Sequence, residues 1–445
     1  MSHDATTMRP RRFLPTGPLK GRIRVPGDKS ISHRAIMLGA LAVGETRVTG
    51  LLEGEDVLAT AAAMRAMGAS VERTGEGAWS VHGVGVGALL QPQAPLDMGN
   101  SGTSTRLLMG LVATHPITAT FIGDGSLSKR PMGRVIDPLS TMGATFEASE
   151  GGRLPLILKG ASTAVPIRYR PPMASAQVKS AILLAGLNTP GVTTVVEPVP
   201  TRDHSERMLR GFGADLTVEI DGDGARVISI RGEAELRPQT IEVPGDPSSA
   251  AFFIVAALVI PGSDVVIENV GLNPTRAGII GVLRQMGGSI EELSSREVGG
   301  EPVADLHVRH SALKGIEVDP AVVASMVDEF PALFVAAALA DGVTTTSGLE
   351  ELRVKESDRI TVMATALAAS GAHVRETEDG MVITGTGGEP LAGSPRAIAT
   401  HLDHRIAMAM AVAGLASCTG VEVDDVRPIA TSFPVFESLL EGLTA

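Results

Sequence analysis

Several short polar phrases of this sequence combine a Lys or Arg with Gly, Ser or Asn, and this composition favours anion binding. Residues 27–34 read Gly-Asp-Lys-Ser-Ile-Ser-His-Arg, residues 99–103 read Gly-Asn-Ser-Gly-Thr, and residues 353–359 read Arg-Val-Lys-Glu-Ser-Asp-Arg. Further cations in comparable phrases are Arg106, Lys129, Arg130, Arg202 and Arg405. Arginine holds carboxylates and phosphates through paired hydrogen bonds, and the N–H groups at a helix start add to such a site. The phrases therefore predict recognition of small molecules that carry phosphate and carboxylate groups.

Other chemistries that short motifs could indicate are not supported by the spacing. Residues 27–30 lack the upstream glycine of a nucleotide-hydrolysing loop, and the glycines of residues 83–87 lack dinucleotide-binding spacing and do not open a helix. His401 and His404 adjoin Arg405, whose charge disfavours a metal ion beside it. The single Cys418 excludes an internal disulfide and any Cys-rich metal site. The sequence thus predicts no bound nucleotide and no metal.

Composition sets the class of protein in which these phrases must work. The chain has 445 residues, of which 44% are hydrophobic and 20% charged, and its net charge is −12, which argues against nucleic-acid binding. The N-terminus lacks the apolar stretch of a secretory signal, and the longest apolar run, residues 250–260, is too short to span a membrane. We expect a cytoplasmic enzyme of two or three domains.

An internal repeat predicts how the polar phrases are positioned. Ile23–Asp28 (Ile-Arg-Val-Pro-Gly-Asp) recurs as Ile241–Asp246 (Ile-Glu-Val-Pro-Gly-Asp), half a chain away, and each copy precedes an apolar helix. Glycines that end a helix before a strand recur about every 75 residues, at Gly68, Gly143, Gly213, Gly287 and Gly371. Helices of small apolar residues start between these stops, near Lys29, Asn100, Ser175, Pro247, Asp328 and Asp403.

The repeat predicts an α/β protein with six βαββαβ units in two lobes. One lobe comprises residues 24–240 and the other residues 1–23 plus 241–445, with a two-strand hinge near residues 23 and 241. The sixth unit lacks a last strand, which residues 11–16 could supply. Helix capping alone would explain Ser, Asp and Asn at the helix starts, and we interpret Ser248 and Ser249 in this way, but capping requires no Lys29, Gln177 or Arg405.

The phrases at residues 25–34, 99–103, 129–133, 175–177 and 353–359, together with Asp403-His-Arg405, resemble the 5-enolpyruvylshikimate-3-phosphate synthase family. Residues 52–57 and 201–206 resemble its bacterial class II branch. The likeness extends from about residue 20 to residue 436 and is carried by long, specific motifs. It implies a two-lobed enolpyruvyl transferase fold, whose lobes resemble inside-out α/β barrels and close over the substrates.

The same likeness implies a reaction and a set of site residues. The reaction transfers the enolpyruvyl group of phosphoenolpyruvate to the 5-hydroxyl of shikimate 3-phosphate and releases phosphate, without a metal or organic cofactor. Shikimate 3-phosphate would be held by Lys29, Ser30, Arg34, Ser175, Ala176, Gln177, Arg202, Asp328 and Lys355. Phosphoenolpyruvate would be held by Lys29, Asn100, Gly102, Arg130, Gln177, Arg359 and Arg405. The catalytic candidates are Asp328, Glu356, Lys29 and Lys355, with Asp328 suited to be the base and Lys29 or Glu356 the acid.

Two alternatives and two details complete the prediction. UDP-N-acetylglucosamine enolpyruvyl transferase shares the fold and donor, but it typically has a reactive Cys in the loop that corresponds to residues 122–131, where this chain has none. A non-catalytic phosphate-ester binding protein is the other alternative.

Thr431 occupies a position where many class I members have Lys. Gly102 matches the position that contacts the inhibitor glyphosate, so we expect glyphosate to bind, and the family likeness favours a monomer.

Overall fold

The computed structural model describes residues 8–298 and 300–444. The chain forms two compact units. The inserted unit comprises Gly27–Val243 together with Val298–Gly300, and the flanking unit comprises the chain up to Pro26, Pro244–Glu297 and the chain from Glu301 onward. No helix of the described residues has the length and apolar character needed to cross a membrane.

The strands are short and follow one another in chain order. They are β1 (Arg11–Phe13), β2 (Lys20–Arg24), β3 (Gly44–Thr49), β4 (Ser70–Gly75), β5 (Ala78–Gly83), β6 (Leu96–Asp97), β7 (Thr118–Ile122), β8 (Thr145–Ser149), β9 (Arg153–Lys159), β10 (Arg168–Tyr169), β11 (Val192–Glu197), β12 (Leu216–Ile220), β13 (Arg226–Arg231), β14 (Thr240–Glu242), β15 (Asp264–Gly271), β16 (Ser289–Val298), β17 (Glu301–Arg309), β18 (Val343–Thr346), β19 (His373–Glu376), β20 (Met381–Thr384) and β21 (Val421–Val423).

The helices are α1 (Lys29–Leu41), α2 (Glu55–Ala66), α3 (Gly102–Ala113), α4 (Gly133–Thr141), α5 (Ala176–Leu187), α6 (His204–Gly211), α7 (Pro247–Val259), α8 (Gly278–Gln285), α9 (Val323–Met326), α10 (Phe330–Leu339), α11 (Arg359–Ala369), α12 (His404–Leu415) and α13 (Phe436–Leu443). They include five that are almost wholly buried, namely α1, α3, α7, α10 and α12.

The sheets of the described residues confirm the predicted repeat. In the inserted unit they have the orders β14-β3-β5-β4, β6-β7-β9-β8 and β10-β11-β13-β12. In each of these the first pair is parallel and the other two pairs are antiparallel. The flanking unit repeats this order as β2-β15-β17-β16, and as β18-β20-β19 with residue Glu317 bridged parallel to Thr345.

Each of the two phrases that revealed the repeat joins a strand of one unit to a helix of the other unit. Strand β2 pairs in parallel with β15 of the flanking unit, although the helix that follows it, α1, belongs to the inserted unit. Strand β14 pairs in parallel with β3 of the inserted unit, although the next helix, α7, belongs to the flanking unit. The chain therefore passes from one unit to the other after Pro26 and again after Val243.

The N-terminal strand completes the sixth repeat. Strand β1 pairs antiparallel with β21, with Arg11 opposite Val423, and Ile398 bridges the other edge of β21 in parallel. Phe13 of β1 is buried in the core of the flanking unit, while Arg9 forms an ion pair with Glu437 of α13. The structure thus assigns the missing strand to residues 11–13.

Small side chains let the long helices pack closely in each core. Helix α10 is buried along its whole length, and α7 along nearly all of its length. In the inserted unit, a Cβ on Gly110 of α3 would lie 2.3 Å from the carbonyl oxygen of Ala181 on α5, so only glycine permits this approach.

The predicted helix stops and starts are confirmed at most positions. The five stop glycines have φ values between 89° and 109°, in the left-handed region that favours glycine. The long helices begin within two residues of their predicted starts. Ser248 is a correction, because Asp246 caps α7 while the Ser248 hydroxyl donates to Glu329 and accepts from Arg276.

Candidate active site

The first turn of α1 presents Lys29 and Ser30 and anchors Arg34 beneath them. Asp28 caps the helix by accepting a hydrogen bond from the backbone N–H of Ile31 at 2.8 Å. The Lys29 ammonium forms an ion pair with the buried Asp56 of α2. Arg34 is 5% exposed, and its guanidinium donates to the carbonyl of Ser30 at 2.9 Å as well as to two serine hydroxyls. Arg34 therefore stabilises this turn from below.

A buried histidine lies beside these cations and stays neutral. Nδ1 of His33 is 2.8 Å from the hydroxyl of Thr60. Burial, followed by the charges of Lys29 and Arg34, holds the pKa of His33 well below its usual value. Because His33 is neutral, Lys29 and Arg34 carry the positive charge of this group.

Asn100 and Arg130 form a second group of the inserted unit. The Asn100 amide donates to Asp124 at 2.7 Å, which leaves its oxygen to accept from Nη2 of Arg130, also at 2.7 Å. Asp124 also accepts from the backbone N–H of Leu127, and so fixes the turn that precedes Arg130. The guanidinium of Arg130 is oriented by side chains of two loops.

Gly102 begins α3 next to two arginine side chains. Its φ lies outside the left-handed region, so the turn imposes no backbone requirement for glycine there. A Cβ at Gly102 would lie 2.8 Å from Nη1 of Arg106 and 3.3 Å from Nη1 of Arg130. The absence of a side chain therefore leaves room for these two guanidinium groups.

The start of α5 brings the predicted Ser175–Gln177 phrase to the same arginines. Ser175 caps the helix through its hydroxyl, and Ala176 is the first helical residue. Gln177 accepts a hydrogen bond from Arg106 at 2.9 Å and donates one to the hydroxyl of Thr103 at 3.1 Å. Arg202 is half-buried in the loop that precedes α6. The predicted residues of the inserted unit thus come from the starts of α1, α3 and α5 and from two loops.

The predicted residues of the flanking unit are centred on Arg359. Its guanidinium is 1% exposed and contacts three carboxylates, namely Asp328 at 3.2 Å, Asp403 at 2.9 Å and Glu356. Burial alone would lower the pKa of Arg359, but Asp403, Glu356 and Asp328 together raise it above its ordinary value. Arg359 is therefore a permanent cation that fixes three acids.

Asp328 does not cap the helix at whose start it was predicted. Helix α10 begins at Phe330, and Asp328 lies in the turn between α9 and α10. Only 16% of its side chain is exposed, and one oxygen contacts Arg359. The carbonyl of Asp328 accepts a hydrogen bond from Arg405 at 3.3 Å. The same segment is thereby tied to two arginines.

Lys355 and Arg405 adjoin this acid group. The Lys355 ammonium is 3.5 Å from a carboxylate oxygen of Glu351, one helical turn earlier. Arg405 is the second residue of α12, whose N-cap Asp403 accepts from the backbone N–H of Arg405 at 3.0 Å. Asp403 therefore both caps α12 and pairs with Arg359.

Sequence reasoning missed the residues that orient the predicted ones. Asp56, Asp124 and Asp403 were not singled out as ligands, yet each carboxylate binds a predicted site residue. Their common sequence signal is an acidic residue in a short polar phrase, which by itself does not distinguish them from surface acids.

The positions behind the alternative predictions have ordinary structural contacts. The Thr431 hydroxyl donates to the carbonyl of Pro428 at 2.7 Å, and Cys418 is exposed after α12. Over residues 8–298 and 300–444, no three side chains of His, Cys, Asp or Glu come together as metal ligands would.

Comparison with known proteins shows the family. Residues 14–440 match the family model of EPSP synthase (3-phosphoshikimate 1-carboxyvinyltransferase). The 3-phosphoshikimate 1-carboxyvinyltransferase of Novosphingobium aromaticivorans is 79% identical over 98% of this chain and 100% of its own length. That of Sphingopyxis alaskensis is 72% identical over 98% of this chain and 99% of its own length.

Solved structures agree with this likeness. EPSP synthase from Acinetobacter baumannii is 49% identical and superimposes with a TM-score of 0.86 over 98% of both chains. The enolpyruvyl transferase NikO from Streptomyces tendae, at 21% identity and a TM-score of 0.77 over 98% of both chains, shares the fold. The chain belongs to the EPSP synthase family of enolpyruvyl transferases.

Proposed function

We propose that the inserted and flanking units are the two lobes of this transferase and that both contribute to substrate binding. Family membership assigns the transfer of the enolpyruvyl group from phosphoenolpyruvate to shikimate 3-phosphate, a step of the shikimate pathway. Cations of both units would hold the anionic groups of the substrates, and the carboxylates beside Arg359 would take part in proton transfer.

We assign the binding of shikimate 3-phosphate to residues of both units. Its proposed ligands in the inserted unit are Lys29, Ser30, Arg34, Ser175, Ala176, Gln177 and Arg202. Those in the flanking unit are Asp328 and Lys355. Support comes from the partly exposed positions of Lys29, Ser30 and Gln177 at the starts of α1 and α5, where backbone N–H groups and the helix dipole also favour anions.

Phosphoenolpyruvate is assigned to the arginines. Its proposed ligands are Lys29, Asn100, Gly102, Arg130, Gln177, Arg359 and Arg405. The orientation of Arg130 by Asn100 means that this guanidinium is already ordered before a phosphate or carboxylate arrives, which lowers the entropic cost of binding. Glyphosate, which carries the same kinds of anionic group, would compete for these arginines.

The chemical step needs one base and one acid. Asp328 would take the proton of the 5-hydroxyl while the hydroxyl oxygen adds to C2 of phosphoenolpyruvate, and Lys29 or Glu356 would deliver a proton to C3. The same Lys29 or Glu356, now deprotonated, would then accept a proton from C3 as the bond between C2 and the phosphate oxygen breaks, which regenerates the double bond and releases phosphate. Each proton transfer contributes about 10²–10⁴-fold to the rate, and the proposal assigns no metal or cofactor to it.

One observation carries this assignment of roles: a single buried guanidinium, Arg359, holds Asp328 and Glu356 together with Asp403. A salt-bridged arginine keeps these acids at a fixed separation and compensates their charge inside the unit. Asp403 also serves as the N-cap of α12, so Asp328 and Glu356 are the carboxylates that we assign to proton transfer.

The test is phosphate release by the purified protein given shikimate 3-phosphate and phosphoenolpyruvate. We expect release that requires both substrates and falls at least about 100-fold in Glu356→Gln. The exposed Glu350→Gln is the matched control and should keep wild-type turnover. Release with UDP-N-acetylglucosamine instead of shikimate 3-phosphate would assign the chain to the sister reaction, and binding of both substrates without release would indicate a binding protein.

A further inference from the structure

A fully buried ion cluster lies beneath the loop that carries Arg202. The ammonium of Lys179 on α5 is 2.9 Å from Glu197 and 2.9 Å from Glu206. The three side chains are 0%, 4% and 2% exposed, respectively. We call these residues the Lys179 cluster. None of them belongs to the predicted site.

The cluster joins three consecutive pieces of the inserted unit. Glu197 is the last residue of β11, and Glu206 lies in the first turn of α6. Between them, the backbone carbonyl of Thr201 accepts a hydrogen bond from Lys179 at 3.4 Å, and the Thr201 hydroxyl donates to Glu197. That carbonyl belongs to the peptide bond between Thr201 and Arg202. Lys179 thus fixes the peptide plane from which the Arg202 side chain projects.

Burying three charged side chains has a high desolvation free energy, so the cluster is poorly suited to stabilising a core. Moving each charge out of water costs several kcal/mol in effective terms, and apolar side chains of similar volume often serve stability as well or better. Burial raises the pKa of Glu197 against the opposing effect of the Lys179 charge. Arg226, 3.8 Å from Glu206, supplies a second positive charge. With Lys179 and Arg226 facing Glu197 and Glu206, the charges are paired, and such a buried group of charges is suited to fixing one conformation.

A second buried network holds the other side of the same segment. Ser205, the residue before Glu206, lies 2.7 Å from both Nε of Arg34 and the hydroxyl of Ser180. Ser180 adjoins Lys179 on α5, and it accepts from Arg34 at 2.8 Å. Arg202 therefore projects from a segment that is anchored on both sides to α5.

We propose that Lys179 is a positioning residue that orients Arg202 for binding shikimate 3-phosphate. This inference rests on the function proposed above, in which Arg202 is a ligand of that substrate. The ammonium acts through Thr201, and the two glutamates hold the ammonium in place. Phosphoenolpyruvate, whose proposed ligands lie outside this loop, should be affected little.

The test uses a neutral version of the cluster, because Lys179→Met alone would leave two buried glutamates without their cation. The triple variant Lys179→Met, Glu197→Gln, Glu206→Gln removes all three charges at nearly constant volume. We expect its KM for shikimate 3-phosphate to rise about tenfold, with kcat and the KM for phosphoenolpyruvate within about threefold of wild type. The milder Glu197→Gln should raise the same KM by about threefold and serves if the triple variant does not fold.

Two controls separate positioning from loss of stability. Val71→Ala, in a buried position of β4, destabilises the same unit without touching the loop and should leave both KM values unchanged. Arg202→Gln supplies the double-mutant cycle. In its background the neutral cluster should no longer change the KM for shikimate 3-phosphate, because the group through which it acts is gone.

The outcomes distinguish this inference from the proposed function. A tenfold effect that persists in the Arg202→Gln background, or a KM change shared equally by both substrates, overturns the positioning role. An unchanged KM in a folded triple variant does so as well. A wild-type protein that releases no phosphate and is not stabilised against heat by shikimate 3-phosphate overturns the proposed function itself, before any variant is made.

Discussion

The inserted and flanking units are built from the same repeat yet carry opposite chemistry at their helix starts. In the inserted unit the starts of α1, α3 and α5 carry Lys29, Arg106 and Gln177, whose partners are largely neutral or single acids. In the flanking unit the corresponding segments bring Asp328 and Asp403 to one buried Arg359. One backbone plan therefore places mainly cations at the helix starts of one unit and carboxylates around a buried arginine in the other.

This difference shows that the repeat supplies positions, whereas individual side chains supply the chemistry. Helix starts favour anions through their N–H groups. The inserted unit places cations at its helix starts, whereas the flanking unit places carboxylates at or near them, where Asp328 and Asp403 contact Arg359.

The largest expected effect is on turnover in the flanking unit. Asp328→Ala removes the proposed base and should lower kcat about 10²–10⁴-fold, because proton abstraction then falls to water. The exposed Asp341→Ala is the control in the same unit and should retain wild-type turnover. Phosphate release measured at saturating substrates checks both. Turnover of Asp328→Ala within threefold of wild type would mean that the acidic site is structural and that the contrast between the units is not one of roles.

A second prediction concerns the contribution of strand β1 to the stability of the flanking unit. The sixth repeat depends on β1, so Phe13→Ala should destabilise the flanking unit by about 3 kcal/mol through a cavity at its edge. The adjacent Leu14 is 60% exposed, and Leu14→Ala should cost little. Urea unfolding of both variants measures the difference. Equal midpoints for the two variants would show that the N-terminal strand contributes little to the flanking unit.

The third prediction tests the crowding of arginines in the inserted unit. Gly102→Ala places a methyl group 2.8 Å from Nη1 of Arg106 and 3.3 Å from Nη1 of Arg130. The shift that this forces should weaken binding of the longer inhibitor glyphosate about tenfold, more than that of phosphoenolpyruvate. We expect wild type to be inhibited competitively against phosphoenolpyruvate.

Glycine's backbone freedom does not explain Gly102, since its φ is within reach of alanine. The measurement is the ratio of the inhibition constant to the KM for phosphoenolpyruvate in both proteins. A ratio that does not change would show that the methyl group affects both ligands alike. If glyphosate does not inhibit wild type, residues other than Gly102 must distinguish glyphosate from phosphoenolpyruvate.

The smallest expected effect is a pH dependence that arises from the burial of His33 beside the cations of the inserted unit. Because burial, Lys29 and Arg34 lower the pKa of His33, the folded state binds a proton less readily than the unfolded state. This contribution to stability is complete above pH ~6.5 and is lost as the pH falls below it, by at most about 1.4 kcal/mol per pH unit. His33→Gln should flatten the dependence of the unfolding free energy between pH 7 and 5, whereas the exposed His310→Gln should not.

A profile of His33→Gln that runs parallel to wild type would mean that burial and the neighbouring cations do not lower the pKa of His33 in the folded protein. Denaturant titrations at fixed pH values suffice, because the comparison needs only differences between variants.

The sequence by itself determined the repeat and the identities of the reactive side chains. Gly68, Gly143 and Gly213 marked helix ends because few other residues adopt the left-handed conformation, and the structure confirms positive φ at each. Lys29, Arg130 and Arg359 were recognisable because their phrases are short, polar and specific. Such signals involve residues that are close together in the sequence, so they can be recognised without the structure.

Only the tertiary structure decided which segments meet. The exchange of β2 and β14 between units, and the use of β1 by the sixth repeat, follow from pairing with strands hundreds of residues away, which no local pattern encodes. The partners of the site residues, such as Asp403 for Arg359 and Lys179 for the Thr201 carbonyl, depend on the same long-range packing. An acidic or basic residue acquires its role from what lies within hydrogen-bond distance after folding, because charge interactions weaken steeply with separation and with exposure to water.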